Sequence, residues 1–249
     1  MQAKLSTVTV SCLLGILSTS ALADVTYSNP TAPVAKSGQY IQGSAPFVLF
    51  NLGVGGLMTP DANSNWNNSF SSAPDTVSQT DAGVTYSLGG GYLWYKNKFA
   101  YGVEADYNFY PTSDITDINN DGNRTTLDYK ASSIDLMAVG QYFVASWASF
   151  QLKVGPAYVM QNTSYNGVDG SGNPVNQSAN SNRVAPAFGL GMGFYPDPYV
   201  GILLGFRYIT GTQPATYQSP YQGTATPTFS DYNKGTPLMD FDLGVTVNI

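Results

Sequence analysis

The stretch FAYGVEADYNFY, residues 99–110, alternates two kinds of side chain along its length. Successive side chains of a β-strand point to opposite faces, so Glu104 and Asp106 would share one face. The opposite face would carry apolar and aromatic side chains, namely Tyr101, Val103, Ala105, Tyr107 and Phe109. The pattern predicts a strand with an acidic face and an apolar face, and the surroundings of the apolar face decide the fold.

Seven other segments alternate in the same way. They are 46–58, 81–94, 134–143, 150–160, 183–195, 199–210 and 238–249. Short turns and long polar connections alternate between the eight segments. The long connections lie at about 59–80, 111–126, 161–182 and 211–236. Segments of about ten residues are long enough to cross a tilted bilayer. We therefore predict an all-β fold, an eight-stranded antiparallel up-and-down transmembrane β-barrel with four long extracellular loops and three short periplasmic turns. Residues 127–131 alternate in the frame opposite to 134–143, which predicts either a β-bulge or the end of the loop near Ser132 and Ser133.

The two faces distinguish a membrane barrel from a soluble one. The polar face consists mostly of Gly, Ser, Thr and Ala with a few charges, which suits the narrow interior of eight strands. The other face carries bulky aliphatic and aromatic side chains with almost no Lys or Glu, which suits lipid. A soluble secreted barrel that binds a hydrophobic ligand has the same strand count and stays an alternative.

Aromatic residues cluster at the three short turns. An interfacial girdle requires this placement, although aromatic residues also favour strands in general. The predicted girdle consists of Tyr92, Trp94, Phe99, Tyr142, Trp147, Phe150, Phe194 and Tyr199. Tyr95, Phe143 and Tyr195 flank the same turns.

The N-terminus has the pattern of a secretory signal peptide. Lys4 precedes a short apolar run, and Ala21-Leu22-Ala23 provides the small residues that signal peptidase requires. We predict cleavage between Ala23 and Asp24, and hence a signal peptide at 1–23, an extended leader at 24–45 and the barrel at 46–249. The remaining chain would carry a formal charge of −7 and no cysteine.

Composition excludes several classes of function. Charged residues make up 10% of the chain and there is no histidine, so a basic nucleic-acid-binding face is not expected. Without histidine or a cysteine beyond the signal peptide, thiolate and imidazole metal sites and Ser-His-Asp or Cys-His catalysis are ruled out. We predict that the chain is not an enzyme and needs no cofactor or metal.

The sequence resembles the small eight-stranded outer-membrane barrels of Gram-negative bacteria, of the OmpA-transmembrane or opacity-protein type. The signal peptide, the segments SLGGGYLW, FAYGVEADYNFY, AFGLGMGFY and LLGFRYIT, and the alternating C-terminal strand carry the resemblance. It departs from that pattern at Ile249, where such barrels usually end in an aromatic residue. The resemblance implies a location in the outer membrane of a Gram-negative bacterium, with lipid as a partner.

A charge network is predicted inside the barrel. Its members are Glu104, Asp106, Asp135, Lys153, Arg207, Asp240 and Asp242. Arg207 and Asp240 lie at similar distances from the last long connection, so a hairpin would place them at similar depth. Unpaired charges are costly in a narrow lumen, so we expect ion pairs that plug it. A narrow ion or small-solute pore stays an alternative, and acid–base catalysis is disfavoured because eight strands enclose no substrate-sized cleft.

The long loops supply the remaining candidates. DINNDGNRTTLD, residues 117–128, matches an EF-hand-type calcium loop except for an Asp in place of the final Glu, but Asn-Asp-Gly also forms ordinary turns, so no metal site is assigned there. The loops are rich in Asn, Ser, Thr, Gly and Tyr, a composition that suits surface contacts with an extracellular partner. We therefore predict an outer-membrane barrel with a structural or surface-interaction role.

Overall fold

The computed structural model describes residues 42–58, 76–80, 82–118, 124–168, 174–196, 199–211, 216–218, 228–230 and 237–249. Within these ranges the chain forms β-strands joined by turns. The strands are β1 (Gln42–Leu57), β2 (Thr76–Thr80), β3 (Ala82–Lys96), β4 (Phe99–Phe109), β5 (Ser113–Ile118), β6 (Arg124–Ala145), β7 (Ala148–Val168), β8 (Pro174–Phe194), β9 (Val200–Ile209), β10 (Thr216–Gln218), β11 (Thr228–Ser230) and β12 (Leu238–Asn248). The described residues contain no helix that is long and apolar enough to cross a bilayer.

Eight of these strands close into an antiparallel barrel. The ring runs β1-β3-β4-β6-β7-β8-β9-β12, and β12 pairs with β1 to close it. Across this seam, Asn51 faces Gly244 and Gly53 faces Asp242. The predicted strand number and up-and-down order are confirmed.

Three neighbouring strands are longer than the sequence predicted. β6 has 22 residues and β7 and β8 have 21 each, whereas β9 has 10. The prediction of long loops at 111–126 and 161–182 was therefore wrong for much of their length, since β5, the start of β6, the end of β7 and the start of β8 occupy them. The apolar alternation ends before the strands do, and the strands continue to pair beyond it. β1 likewise begins at Gln42, inside the predicted leader.

The outward face of the barrel is apolar along its middle. Leu52, Val84, Leu136 and Leu190 are each more than half exposed. About 30 Å of hydrocarbon surrounds such a wall in a bilayer, so this exposure is favourable in lipid and unfavourable in water.

Near the extracellular end, the inner face of β6 becomes apolar and its outer face becomes polar. The same alternate residues still point inward along the whole strand. Leu127 and Tyr129 point inward and are buried, whereas Lys130 points outward and is exposed. Pairing between β6 and β7 continues without interruption through Ser132 and Ser133, so the prediction of a bulge or of the loop's end there was wrong. The outer face is apolar below this point and polar above it.

Candidate functional site

The seven charged residues predicted for the lumen lie on β4, β6, β7, β9 and β12 with their side chains inside the barrel. Five of them are buried and Lys153 and Asp242 are half-buried. Arg207 stands directly opposite Asp240 in the β9–β12 pairing, as the hairpin argument predicted. Asp135 stands opposite Asp106 on β4. Asp106 is the next inward-facing residue after Glu104 on that strand. Together they form a charged layer across the middle of the barrel.

Lys153 and Glu104 form the first ion pair of this layer. The Nζ of Lys153 donates to Oε1 of Glu104 at 2.5 Å. The pair joins β7 to β4 across the inner face of β6, which lies between them in the ring. Glu104 is 3% exposed, so this contact satisfies a carboxylate that water does not reach.

Arg207 forms the centre of a second group. Its guanidinium lies 3.3 Å from Oδ2 of Asp135 and 3.9 Å from Oδ2 of Asp106, and it also donates to Oδ1 of Asn108. Asn108 in turn donates through Nδ2 to Asp135 at 2.9 Å and to Ser133 at 3.1 Å. The ion pairs of Arg207 are therefore made across the lumen, whereas the sequence had pointed to its neighbour Asp240.

Glycines on adjacent strands provide the space for these charges. Glu104 faces Gly91 and Asp106 faces Gly89 on β3. A Cβ added at Gly89 would overlap the Asp106 carboxylate. Gly189 similarly stands beside both Lys153 and Arg207. The layer therefore depends on glycine at the facing positions as much as on the charged residues.

Two apolar clusters fill the lumen on either side of the charged layer. The extracellular cluster includes Leu57, Leu127, Tyr129, Val159 and Ile209. The periplasmic cluster consists of Ala45, Phe47, Leu49, Leu93, Tyr95, Ala100, Val139, Phe143 and Leu203, with Tyr195 packed against it. The sequence analysis had assigned mainly small and polar residues to this face, and so it missed both clusters.

Tyr195 packs against the periplasmic cluster. Gln141 donates through Nε2 to its hydroxyl at 2.5 Å, and Gln151 does so at 3.2 Å. The Tyr195 ring also packs on Phe143 with centroids 5.6 Å apart. Tyr95, Phe143 and Tyr195 flank the short turns as the sequence indicated, yet all three point into the barrel.

The eight predicted girdle residues lie on the outward face or in the turns. Six of them are at least two-fifths exposed, and Tyr92 and Phe194 are half-buried. Phe99 packs against Tyr142 with centroids 5.1 Å apart, and Trp147 stacks on Phe194 at 6.3 Å. Their contact with lipid headgroups stays a prediction.

Two other features predicted from the sequence, the calcium-like loop and the signal cleavage site, lie partly or wholly outside the described residues. Asp117 lies on β5 opposite Thr125, and Asp128 lies on β6 opposite Asp114, so the ends of the calcium-like loop form a β-hairpin. Residues 119–123 of that loop, and the cleavage site at Ala23 and Asp24, lie outside the described residues. The calcium hypothesis gains no support from this hairpin geometry.

Comparisons with known proteins agree with the barrel. Residues 9–236 match a family model described as outer membrane protein beta-barrel domain. No curated protein matches the chain. Among solved structures, Ail of Yersinia pestis is 11% identical, with 84% of this chain and 100% of that chain covered and a TM-score of 0.40. OprG of Pseudomonas aeruginosa is 9% identical over 82% and 96%, with a TM-score of 0.41, and the protease OmpT of Escherichia coli is 8% identical over 83% and 96%, with a TM-score of 0.46.

Proposed function

Because the chain belongs to the outer membrane protein beta-barrel domain family, we propose that it is a barrel with a structural and surface-interaction role and a closed lumen. Family membership places the chain in the outer membrane of a Gram-negative bacterium, embedded in lipid. This location removes the alternative of a soluble secreted carrier. Two roles fit this location: conduction of ions through the lumen, or presentation of the outer surface to an extracellular partner.

The filling of the lumen carries the proposal. From the extracellular side inward, the described interior holds an apolar cluster, the charged layer and a second apolar cluster closed by Tyr195. Asp135 and Val159 are each 0% exposed, so solvent does not reach these two residues in the middle of the barrel. A hydrated ion needs a continuous polar path, and two apolar clusters in series oppose one.

The same contacts argue against catalysis. Glu104 is held by Lys153, and Asp106 and Asp135 are held by Arg207. A general acid or base must reach a substrate proton within about 3 Å. These carboxylates are buried beneath apolar side chains, and the proposed role includes no enzymatic step.

The long strands provide the surface for interaction. β6, β7 and β8 extend beyond the apolar band by about 25 Å at about 3.3 Å per residue. The outer face of this extension is polar, and Asn162 donates to Asn180 across it at 2.7 Å. A polar wall of this kind suits contacts with an extracellular partner, because a backbone already held in paired strands loses little freedom on binding.

Conductance across a planar bilayer tests the closed lumen. The folded chain should insert without stepwise current, whereas a general porin reconstituted in the same lipid should give steps. Reproducible steps from the folded chain would favour the narrow pore and overturn the closed-lumen proposal.

Shortening the β7–β8 hairpin tests the surface role. Asn166 and Asn176 are paired across the hairpin, so residues 167–175 can be replaced by Asn-Gly, which forms a tight turn between paired strands. Cells that display the shortened barrel should lose adhesion to a panel of immobilised glycans and matrix proteins that the intact barrel binds. A heat-dependent gel shift controls for folding, and unchanged adhesion by a folded variant would refute a role for this hairpin.

A further inference from the structure

A polar region of the outer face begins directly beyond the apolar band on β6, β7 and β8. The last apolar row across these strands consists of Ile134, Tyr158 and Val184. The next two outward-facing rows are polar apart from one methionine, and we call them the rim. They consist of Ser132, Met160 and Asn182, and then of Lys130, Asn162 and Asn180. The rim therefore continues the apolar wall of the same three strands without a break.

Tyrosine residues mark the depth of the rim. Tyr107 and Tyr158 lie on either side of Ile134 in the last apolar row, and the Tyr107 hydroxyl donates to Oγ of Ser132 at 3.5 Å. Tyrosine is enriched where hydrocarbon gives way to lipid head groups, because its ring is apolar and its hydroxyl is polar. At about 3.3 Å per residue, Lys130 lies about 13 Å along β6 from Ile134, and its flexible stem can reach back towards the bilayer. The rim therefore lies at the depth of the head groups.

The rim offers one positive charge and several carboxamides. Lys130 is exposed, and the ion pairs of the described residues do not involve it. Nδ2 of Asn162 donates to Oδ1 of Asn180 at 2.7 Å, which leaves the amide nitrogen of Asn180 as a donor. Asp128, paired opposite Asp114 on β5, lies one outward position farther from the apolar band than Lys130. An anion is therefore attracted to the side of Lys130 that faces the bilayer, because these carboxylates lie on the other side.

We propose that the rim binds the phosphorylated sugar head group of an outer-leaflet glycolipid, with Lys130 on a phosphate and the carboxamides of Asn180 and Asn182 on sugar hydroxyl groups. The outer leaflet of a Gram-negative outer membrane consists largely of such a glycolipid, lipopolysaccharide, whose phosphates adjoin its acyl chains. An ammonium group pairs with phosphate, and a carboxamide both donates to and accepts from hydroxyl groups. This binding depends on the membrane location and not on adhesion to an extracellular partner, so either role can fail without the other.

Native mass spectrometry of the folded barrel in a zwitterionic detergent tests the site with three lipids. They are lipopolysaccharide without its O-antigen, the same lipid after chemical removal of its phosphates, and phosphatidylglycerol, which has a phosphate but no sugar. EDTA is present, so that binding does not depend on metal ions that bridge phosphates to carboxylates. Intact lipopolysaccharide should bind saturably with one molecule per chain. The other two lipids should each bind at least about fivefold more weakly, because each lacks one of the two recognised groups.

Two rim variants separate the charge from the carboxamides. Lys130→Gln keeps most of the side-chain length and should weaken binding of intact lipopolysaccharide about fivefold, because one lysine near an anionic surface contributes about that factor. It should not change binding of the dephosphorylated lipid. Asn180→Ala/Asn182→Ala removes two carboxamides and should weaken binding of both glycolipids.

Lys96→Gln is the matched control, because Lys96 is an exposed lysine at the periplasmic end of β3. It should bind lipopolysaccharide as the unmodified chain does. All variants are checked for the heat-dependent gel shift, and the rim variants replace only exposed side chains, which rarely affects folding. Equal binding of lipopolysaccharide by Lys130→Gln and Lys96→Gln would overturn the proposal. Phosphatidylglycerol that binds as tightly as lipopolysaccharide would also overturn it, because the rim would then be a general contact for anionic lipid.

Discussion

Replacement of Arg207 by Met should destabilise the barrel more than any surface change. Met is long and flexible enough to fill most of the volume, so the main loss is the positive charge. Arg207 is 6% exposed and contacts Asp106, Asp135 and Asn108. Removal of one partner of a buried ion pair costs about 3–5 kcal/mol because the other charge stays buried and unpaired.

The expected loss translates into a large shift of the unfolding midpoint. A loss of about 4 kcal/mol, with an m-value of about 2 kcal/mol per molar urea, lowers the midpoint by about 2 M. The double variant Arg207→Met/Asp135→Asn removes one of the two carboxylates left unpaired and should recover about 1–3 kcal/mol, while Asp106 stays without its partner. Lys96→Met, an exposed cation beside a short turn, should shift stability by less than about 0.5 kcal/mol.

The measurement is reversible urea unfolding in lipid vesicles, followed by tryptophan fluorescence and by the heat-dependent gel shift. The reasoning fails if Arg207→Met lowers the midpoint by less than about 0.5 M. It also fails if the double variant is no more stable than the single one, because the cost would then arise from lost packing.

Three further predictions address glycine spacing, the periplasmic mouth and the girdle. Gly89→Ala should cost about 1–3 kcal/mol by overpacking against Asp106, whereas Gly140→Ala should be near neutral because the nearest atom to its Cβ is 3.9 Å away; urea midpoints of the two variants compare them directly. Tyr195→Ala should lower the urea midpoint, since it removes an acceptor of Gln141 and Gln151 and the ring that packs on Phe143, and a midpoint equal to that of the unmodified chain would count against a stabilising role. Fluorescence of Trp94 and Trp147 should be quenched more by lipids brominated near the headgroup than near the chain end, and the reverse order would place these residues away from the interface.

The alternation of side chains was sufficient to predict the barrel. Each membrane-crossing segment places apolar side chains against lipid at every second position, so both the strand count and the inward set could be obtained from the sequence. Asn108 shares the frame of the predicted inward residues, and this parity could have identified it as a member of the site. Asn108 was missed because the predicted network contained charged residues alone.

The upper ends of the long strands could not be obtained from the same rule. Leu127 and Tyr129 point inward there while Lys130 points outward, because the outer face leaves lipid. The rule "apolar side outward" holds only at the depth of the hydrocarbon, and the sequence does not mark where that depth ends. The ion-pair partners of Arg207 could not be predicted from the sequence either, because they depend on which strands face each other across the ring.

Arg207 comes from β9, and its carboxylate partners come from β4 and β6 on the other side of the ring, 72 residues away in the case of Asp135. During insertion, a growing sheet that contains β4 and β6 but lacks β9 holds Asp106 and Asp135 without their counter-charge. Such carboxylates are costly in lipid, and an open sheet also exposes unpaired backbone groups at its edges. Addition of the β9–β12 hairpin therefore pairs the buried carboxylates and closes the barrel in one step. A chain truncated after β8 should accordingly be degraded and should not accumulate as an open sheet.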